Sequence, residues 1–229
     1  MQLAFYFDQT RCIGCNTCVI ACKDWNKINP GPVRMRNPHT MEGTGTFPNQ
    51  TVHNLPYSCN HCANPACIPA CAANAIYKRD EDGVVLIDRD KCQGLGSCLT
   101  ACPFNAPKRM SDKQEPVQDA TFTTSHPAIK CTFCWDRLAV GDAPACVAAC
   151  GARALDFGPM DNLMASYPDA IMANSADVFG FPDSTKDSNG INLPNGDTQP
   201  SLLVKPKSGV GLTDMANFKE NLFIPPKTW

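Results

Sequence analysis

The chain lacks any apolar run approaching the roughly 18 residues that a membrane-spanning helix needs. Its longest, Ala145 to Ala152, is short and interrupted by two cysteines. A basic excess is missing too: 20 Lys and Arg stand against 22 Asp and Glu, for a formal charge of −2. That balance argues against a nucleic-acid binder, which usually carries a basic face. The opening residues contain no basic n-region and no twin-arginine pair, because Arg11 stands alone between Thr10 and Cys12. The expectation is a chain with no export signal and no membrane span of its own. Nothing resembles a nucleophile–base pair, a phosphate loop, a carboxylate dyad or a substrate-binding signature, so no catalytic residue is expected.

Cysteine is abundant. There are 15, all between Cys12 and Cys150. An odd number leaves one thiol outside any closed disulfide framework. Disulfide scaffolds are also usually shorter chains richer in cysteine, above roughly 8–10%. A metal framework is favoured before any motif is read.

The cysteines fall into four blocks. The first is Cys12, Cys15, Cys18 and Cys22; the second is Cys59, Cys62, Cys67 and Cys71. The third is Cys92, Cys98 and Cys102, with Leu95 between the first two; the fourth is Cys131, Cys134, Cys146 and Cys150. Each block ends in Cys-x3-Cys among small or apolar residues. Four-apart spacing puts that pair on one face of a short helix, so the blocks read as four copies of a loop-then-helix unit. Between the second and third blocks, Ala75–Lys78 and Val84–Ile87 flank Asp82-Gly83, a strong hairpin signal. Leu3–Asp8 and Ala152–Phe157 have strand-like composition and are expected to pair with each other. Trp25–Pro56 and Pro107–Lys130 read as polar insertions. Met160–Ile171 reads as one helix, and residues 180–229 as an extended tail whose anchors, Leu202–Val204 and Leu222–Ile224, dock on a partner.

Three cysteines packed as Cys12, Cys15 and Cys18 are too tightly bunched for a zinc ribbon, which brings two Cys-x2-Cys pairs from separate hairpins. This spacing wraps one cubane, while the next cysteine ligates the other cluster of a pair. The fourth block alone remains an ordinary zinc candidate; all four together point to iron–sulfur clusters. Among other residues, His61 reads as a hydrogen-bonding group behind the ligands or a surface group. His39, His53 and His126 read as partner-facing or solvated, and Phe133 and Trp135 as shields against water.

The four blocks, the opening Phe7-Asp-Gln-Thr-Arg-Cys-Ile-Gly-Cys15, Ser58-Cys-Asn-His-Cys62 and Arg153-Ala-Leu-Asp-Phe-Gly-Pro159 resemble the four-cluster electron-transfer subunits of the dimethyl sulfoxide reductase family of molybdopterin oxidoreductases. The resemblance covers residues 1 to about 165. It implies an α+β fold of two nested ferredoxin-like (double cubane) modules with insertions and an extended C-terminal tail. Residues 1–24 with 131–158 would form the outer half and 57–106 the inner; 25–56 and 107–130 would be insertions, and 159–229 a helix plus docking tail. It also implies the ligands: Cys12, Cys15, Cys18 and Cys150 for one 4Fe-4S cluster, and Cys22, Cys131, Cys134 and Cys146 for a second. Cys59, Cys62, Cys67 and Cys102 would hold a third. Cys71, Cys92 and Cys98 are left for the fourth, where Leu95 stands in place of a ligand. The similar nitrate reductase subunit has tryptophan there and a three-iron cluster, so the expectation is three 4Fe-4S clusters and one 3Fe-4S cluster.

The implied activity is a non-catalytic relay between a large molybdopterin catalytic subunit and a redox partner such as a quinol-linked membrane subunit, in anaerobic respiration. The chain would be peripheral to the membrane, cytoplasmic or exported folded with a leader-bearing partner. Two rival readings are a subunit of a soluble molybdenum enzyme acting on aromatic hydroxyl compounds and an autonomous polyferredoxin. Four oxidised clusters with their thiolates would add roughly −8 to the chain's charge. Lys23, Lys78, Arg79, Lys91, Lys108, Arg109, Lys130, Arg137 and Arg153 either offset this or are an ordinary solvated scatter.

Overall fold

The computed structural model describes residues 1–42, 48–49, 52–115, 122–173 and 183–207. Strand β1, Leu3–Asp8, is buried along its whole length. An uninterrupted apolar run of this kind suits a strand covered on both faces. One face, Leu3, Phe5 and Phe7, packs on a core that contains Cys59, Cys131 and Cys146. The other, Ala4 and Tyr6, packs on Leu163 and Leu203.

Helix α1 spans Thr17–Trp25. Strands β2, Arg36–Glu42, and β3, Val52–Ser58, pair antiparallel. Strands β4, Ile76–Lys78, and β5, Val85–Ile87, form the hairpin expected around Gly83. Short helices α2 (Ser97–Ala101), α3 (Trp135–Leu138) and α4 (Ala145–Ala148) lie within the third and fourth cysteine blocks. Then come β6 (Leu155–Pro159), α5 (Met160–Ser166), β7 (Ile171–Met172) and β8 (Leu202–Lys205). The main sheet has the order β6-β1-β8-β7. β1 pairs antiparallel with β6, from Leu3↔Pro159 to Phe7↔Leu155, as the two strand-like arms around the blocks imply.

Four expectations need correction. Trp25–Pro56, expected as a polar insertion, holds most of the β2–β3 hairpin, which buries Leu55 and Tyr57 in the cysteine-bearing core. The helix after Gly158 stops at Ser166, because Pro168 disfavours helical geometry at Tyr167, and Ile171 begins a strand instead. The second block's Cys67 and Cys71 lie in tight turns, closed by bonds from Ile68 N–H to Pro65 O and from Cys71 N–H to Ile68 O.

The tail is the fourth. Leu202–Val204 docks on this chain rather than awaiting a partner. β8 runs parallel to β1, from Phe5↔Leu202 to Asp8↔Lys205, and antiparallel to β7. Upstream of it, Asn64 N–H donates to Thr198 O, Ala63 N–H to Gln199 O and Ser201 N–H to Asn60 O. The segment therefore straps β1 to the second cysteine block. Leu222–Ile224 lies outside the described residues.

Candidate metal centres

The loop Cys12–Cys18 turns through left-handed backbone at Gly14 (φ 71°) and Asn16 (φ 60°), and Thr17 then starts α1. Helix α1 carries Cys18 and Cys22 one turn apart. The loop Cys92–Cys98 repeats the path, with Gly94 at 71° and Gly96 at 82° before α2. Leu95 therefore occupies the place that Cys15 holds in the first loop. Its side chain is 63% exposed.

These elements gather the cysteines into four groups. Cys12, Cys15, Cys18 and Cys150 line one cavity with Gly14, Pro56 and Ala154. A second cavity is lined by Cys22, Cys131, Cys134 and Cys146 with Phe5, Arg36 and Phe133. Cys59, Cys62, Cys67 and Cys102 line a third with Phe104, Lys130 and Thr198. Cys71, Cys92 and Cys98 meet beside Ala75, Ile76 and Ala128. Cys150 and Cys102 each join a cavity whose other cysteines come from a different block.

The donor chemistry fits thiolates bound to metal. Burial pushes the Cys102 and Cys131 thiols up to about 12, and Cys18 and Cys98 up to about 11. Such sulfurs ionise only when a positive centre takes the place of the proton. Backbone amides meanwhile point at sulfur, which favours the thiolate. The N–H groups of Ala75, Ala106 and Ala154 donate to Cys71, Cys102 and Cys150 at 3.3, 3.4 and 3.3 Å. Each donor follows its cysteine by four residues. After Cys22 the Asn26 side-chain amide takes that place at 3.8 Å. Among the described residues, no three His, Cys, Asp or Glu side chains converge to hold a single metal ion. Cysteines ringed around a cavity suit a multi-iron cluster, whose irons bridge the gap.

Comparison with known proteins decides the family. A 4Fe-4S dicluster domain matches residues 50–160, and a 4Fe-4S binding domain matches residues 5–24. The B component of the anaerobic dimethyl sulfoxide reductase of Escherichia coli (strain K12) is 37% identical over 215 residues, covering 90% of this protein and 98% of that one. This protein belongs to the iron–sulfur beta subunits of molybdopterin oxidoreductases. The B component of the sulfite dehydrogenase of Allochromatium vinosum is 41% identical over 177 residues, covering 69% of this protein and 68% of that one. The beta subunit of the selenate reductase of Thauera selenatis is 31% identical over 232 residues, covering 70% and 67%. As a beta subunit the protein is an electron-transfer component, not itself catalytic.

The secondary residues of this beta subunit match expectation only in part. His61 is fully buried; its Nδ1 accepts a hydrogen bond from Val85 N–H at 3.0 Å, tying the second block to β5. Burial holds its pKa well below the ordinary value, so the ring is neutral. His53 is buried rather than solvated, because it faces inward from β3. His126 is held by Asp112 at 2.6 Å, and His39 stacks on Tyr57. Phe133 stacks on Phe5 at 4.2 Å and does shield the core. Trp135 does not, since α3 turns it outward to 45% exposure. Of the basic residues, Lys130 is buried and donates to Val85 O and to Cys131 O. Arg36, at the start of β2, was not legible as a site residue. It is equally buried and lines the second cavity; its burial and its unpartnered Nη2, not its sequence context, mark it.

Proposed function

We propose that this beta subunit carries four clusters in two nested ferredoxin-like modules and relays single electrons along them. The ligands are Cys12, Cys15, Cys18 and Cys150, then Cys22, Cys131, Cys134 and Cys146. They continue with Cys59, Cys62, Cys67 and Cys102, and end with Cys71, Cys92 and Cys98. The carrying observation is the order of the thiols. Cys18 interacts electrostatically with Cys146, Cys131 with Cys59, and Cys67 with Cys98. Each set thus lies near the next, which supports a linear series. Bound iron–sulfur clusters supply reversible one-electron chemistry. The protein's part is to hold the sulfurs, aim amides at them and keep water out.

Both ends of the series are open. Cys15 is exposed beside Ile13, and Leu95 is exposed at the other end. One end suits a large molybdopterin catalytic subunit and the other a redox partner, a quinol-linked membrane subunit. No described helix is long and apolar enough to cross a membrane. We place the chain peripherally, cytoplasmic or exported folded with its partner.

With Leu95 in a ligand position, the last centre is a three-iron cluster. The Leu95 side chain offers no lone pair to iron, so the ligand count carries this reading. The test is iron analysis and electron paramagnetic resonance of the purified complex. About 15 irons per chain and the oxidised signal of a three-iron cluster are expected. Leu95→Cys should raise the count to about 16 and abolish that signal. A wild-type complex already holding about 16 irons, silent when oxidised, overturns the three-iron assignment. Purification with neither a pterin subunit nor a membrane subunit sinks the relay reading in favour of an autonomous ferredoxin.

A further inference from the structure

Arg36 is a buried cation with no ion-pair partner among the carboxylates of the described residues. Its side chain is 3% exposed. Nη1 donates to Pro56 O at 2.6 Å, and the guanidinium carbon stands 4.9 Å from the Phe5 ring centroid. Nη2 is buried and has no hydrogen-bond partner among the described residues. Among the described residues no carboxylate forms an ion pair with it. An isolated buried charge costs several kcal/mol, and arginine cannot shed its proton to escape the penalty. What surrounds the guanidinium is sulfur: it lines the cavity of Cys22, Cys131, Cys134 and Cys146, and it interacts with Cys18 as well. Four neutral thiols would leave Arg36 stranded. Four thiolates around a cluster with net negative charge give it a counter-ion and an acceptor.

We propose that Arg36 is a positioning residue that donates a charge-assisted hydrogen bond from Nη2 to sulfur of the centre held by Cys22, Cys131, Cys134 and Cys146, and so raises that centre's reduction potential. This rests on the relay reading. When the centre takes one electron from the neighbouring centre, it gains one negative charge and no proton. A fixed cation beside it stabilises the reduced form more than the oxidised one. Pro56 O, by holding Nη1, and the Phe5 face, by stacking, fix which way the fork points. The other deeply buried cation, Lys130, donates to backbone carbonyls and belongs to the neighbouring cavity.

The test is a redox titration, followed by electron paramagnetic resonance, of the intact complex carrying wild-type chain, Arg36→Met or Arg36→Lys. Iron and spin are first counted in the wild type. Fewer than four centres there sinks the relay reading itself, whereas four centres with unmoved potentials in the variants sinks only the role of Arg36. Arg36→Met is expected to shift the oxidised-to-reduced ratio of one centre at least tenfold toward oxidised at a fixed ambient potential, about 59 mV for one electron. The centre of Cys71, Cys92 and Cys98 should stay within about twofold on the same scale. Arg36→Lys, which keeps the charge, should recover part of the shift. Equal shifts in Met and Lys, a uniform shift of all centres, or no shift overturns the proposal. If Arg36→Met does not load iron, wild-type complex labelled with 15N in the arginine side chains decides. Pulsed resonance of the reduced centre should show a nitrogen coupling that Arg36→Lys loses, and its absence in the wild type refutes the hydrogen bond.

Discussion

Leu203→Ala tests whether the tail belongs to this fold or waits for a partner. Leu203 is 1% exposed and packs with Ala4, Tyr6 and Leu163 on the sheet face away from the cysteines. Its neighbours Leu202 and Val204 face the cysteine-bearing core. Truncating a leucine at such a site costs about 2–5 kcal/mol, through lost burial and the cavity left behind. β8 lies between β1 and the two-residue β7, a short pairing on one side that favours its local opening. Exchange of its amides then follows the local opening free energy. Each 1.4 kcal/mol is a factor of ten, so even the lower cost predicts exchange of residues 201–205 about 30-fold faster. The assay is hydrogen–deuterium exchange of the cluster-loaded chain, read by mass spectrometry. Cluster resonance signals should be unchanged in the variant, because Leu203 touches no cysteine. Exchange that is fast in the wild type and the same in Leu203→Ala would refute the docked strand, and would restore the idea of a tail ordered only by a partner.

Gly83→Ala should destabilise the β4–β5 hairpin by about 1–2 kcal/mol, since Gly83 sits at φ +71°. Its new methyl would also meet the Gln2 side chain; an unchanged denaturation midpoint would count against that geometry. His39 gives a pH signature: burial, with Lys108 and Arg34 nearby, lowers its pKa to about 4 from 6.5. The folded state thus favours the neutral ring, so this contribution is full above about 6.5 and is lost as pH falls toward 4. Wild-type chain should lose more denaturant resistance between pH 7 and pH 5 than His39→Gln does (a window inside that titration), and parallel curves would exclude the effect.

The cysteine blocks were legible because ligand spacing is a local constraint that sequence must satisfy. The β1–β6 pairing was legible because two arms of strand-like composition flank the cysteine blocks. What stayed hidden was non-local. The β2–β3 hairpin reads as loop because prolines interrupt both strands. In the fold Pro38 pairs with Pro56, where neither has an N–H to give. Pro56 still contributes its carbonyl, which anchors Arg36. β8 reads as part of a proline-rich tail because four residues carry no usable period. Only the open edge of β1, far upstream, makes those residues a strand. Arg36 follows Cys22 by a polar stretch with no motif, and nothing local says that β2 will carry it beneath the sheet.

Charge compensation in this subunit follows depth, which explains why a count of nearby basic residues was a poor guide. At the exposed end, Cys15 needs little help: the Thr17 hydroxyl donates to it at 3.3 Å and lowers its pKa, and water is at hand. The second and third cysteine sets lie deeper, where added negative charge is costly. There the two most buried cations stand, Arg36 at 3% exposure and Lys130 at 2%. Most of the surface cations serve other tasks. Arg79 pairs with Glu81 and Asp82, Lys91 with Asp88, and Arg137 with Asp142. Lys78 donates to the carbonyls of Cys62 and Ala63 rather than to sulfur. A relay needs its middle members insulated from water yet able to accept an electron. On the proposed relay, the interior cations Arg36 and Lys130 would meet both demands at once, bringing positive charge near the deep cysteine sets without bringing solvent.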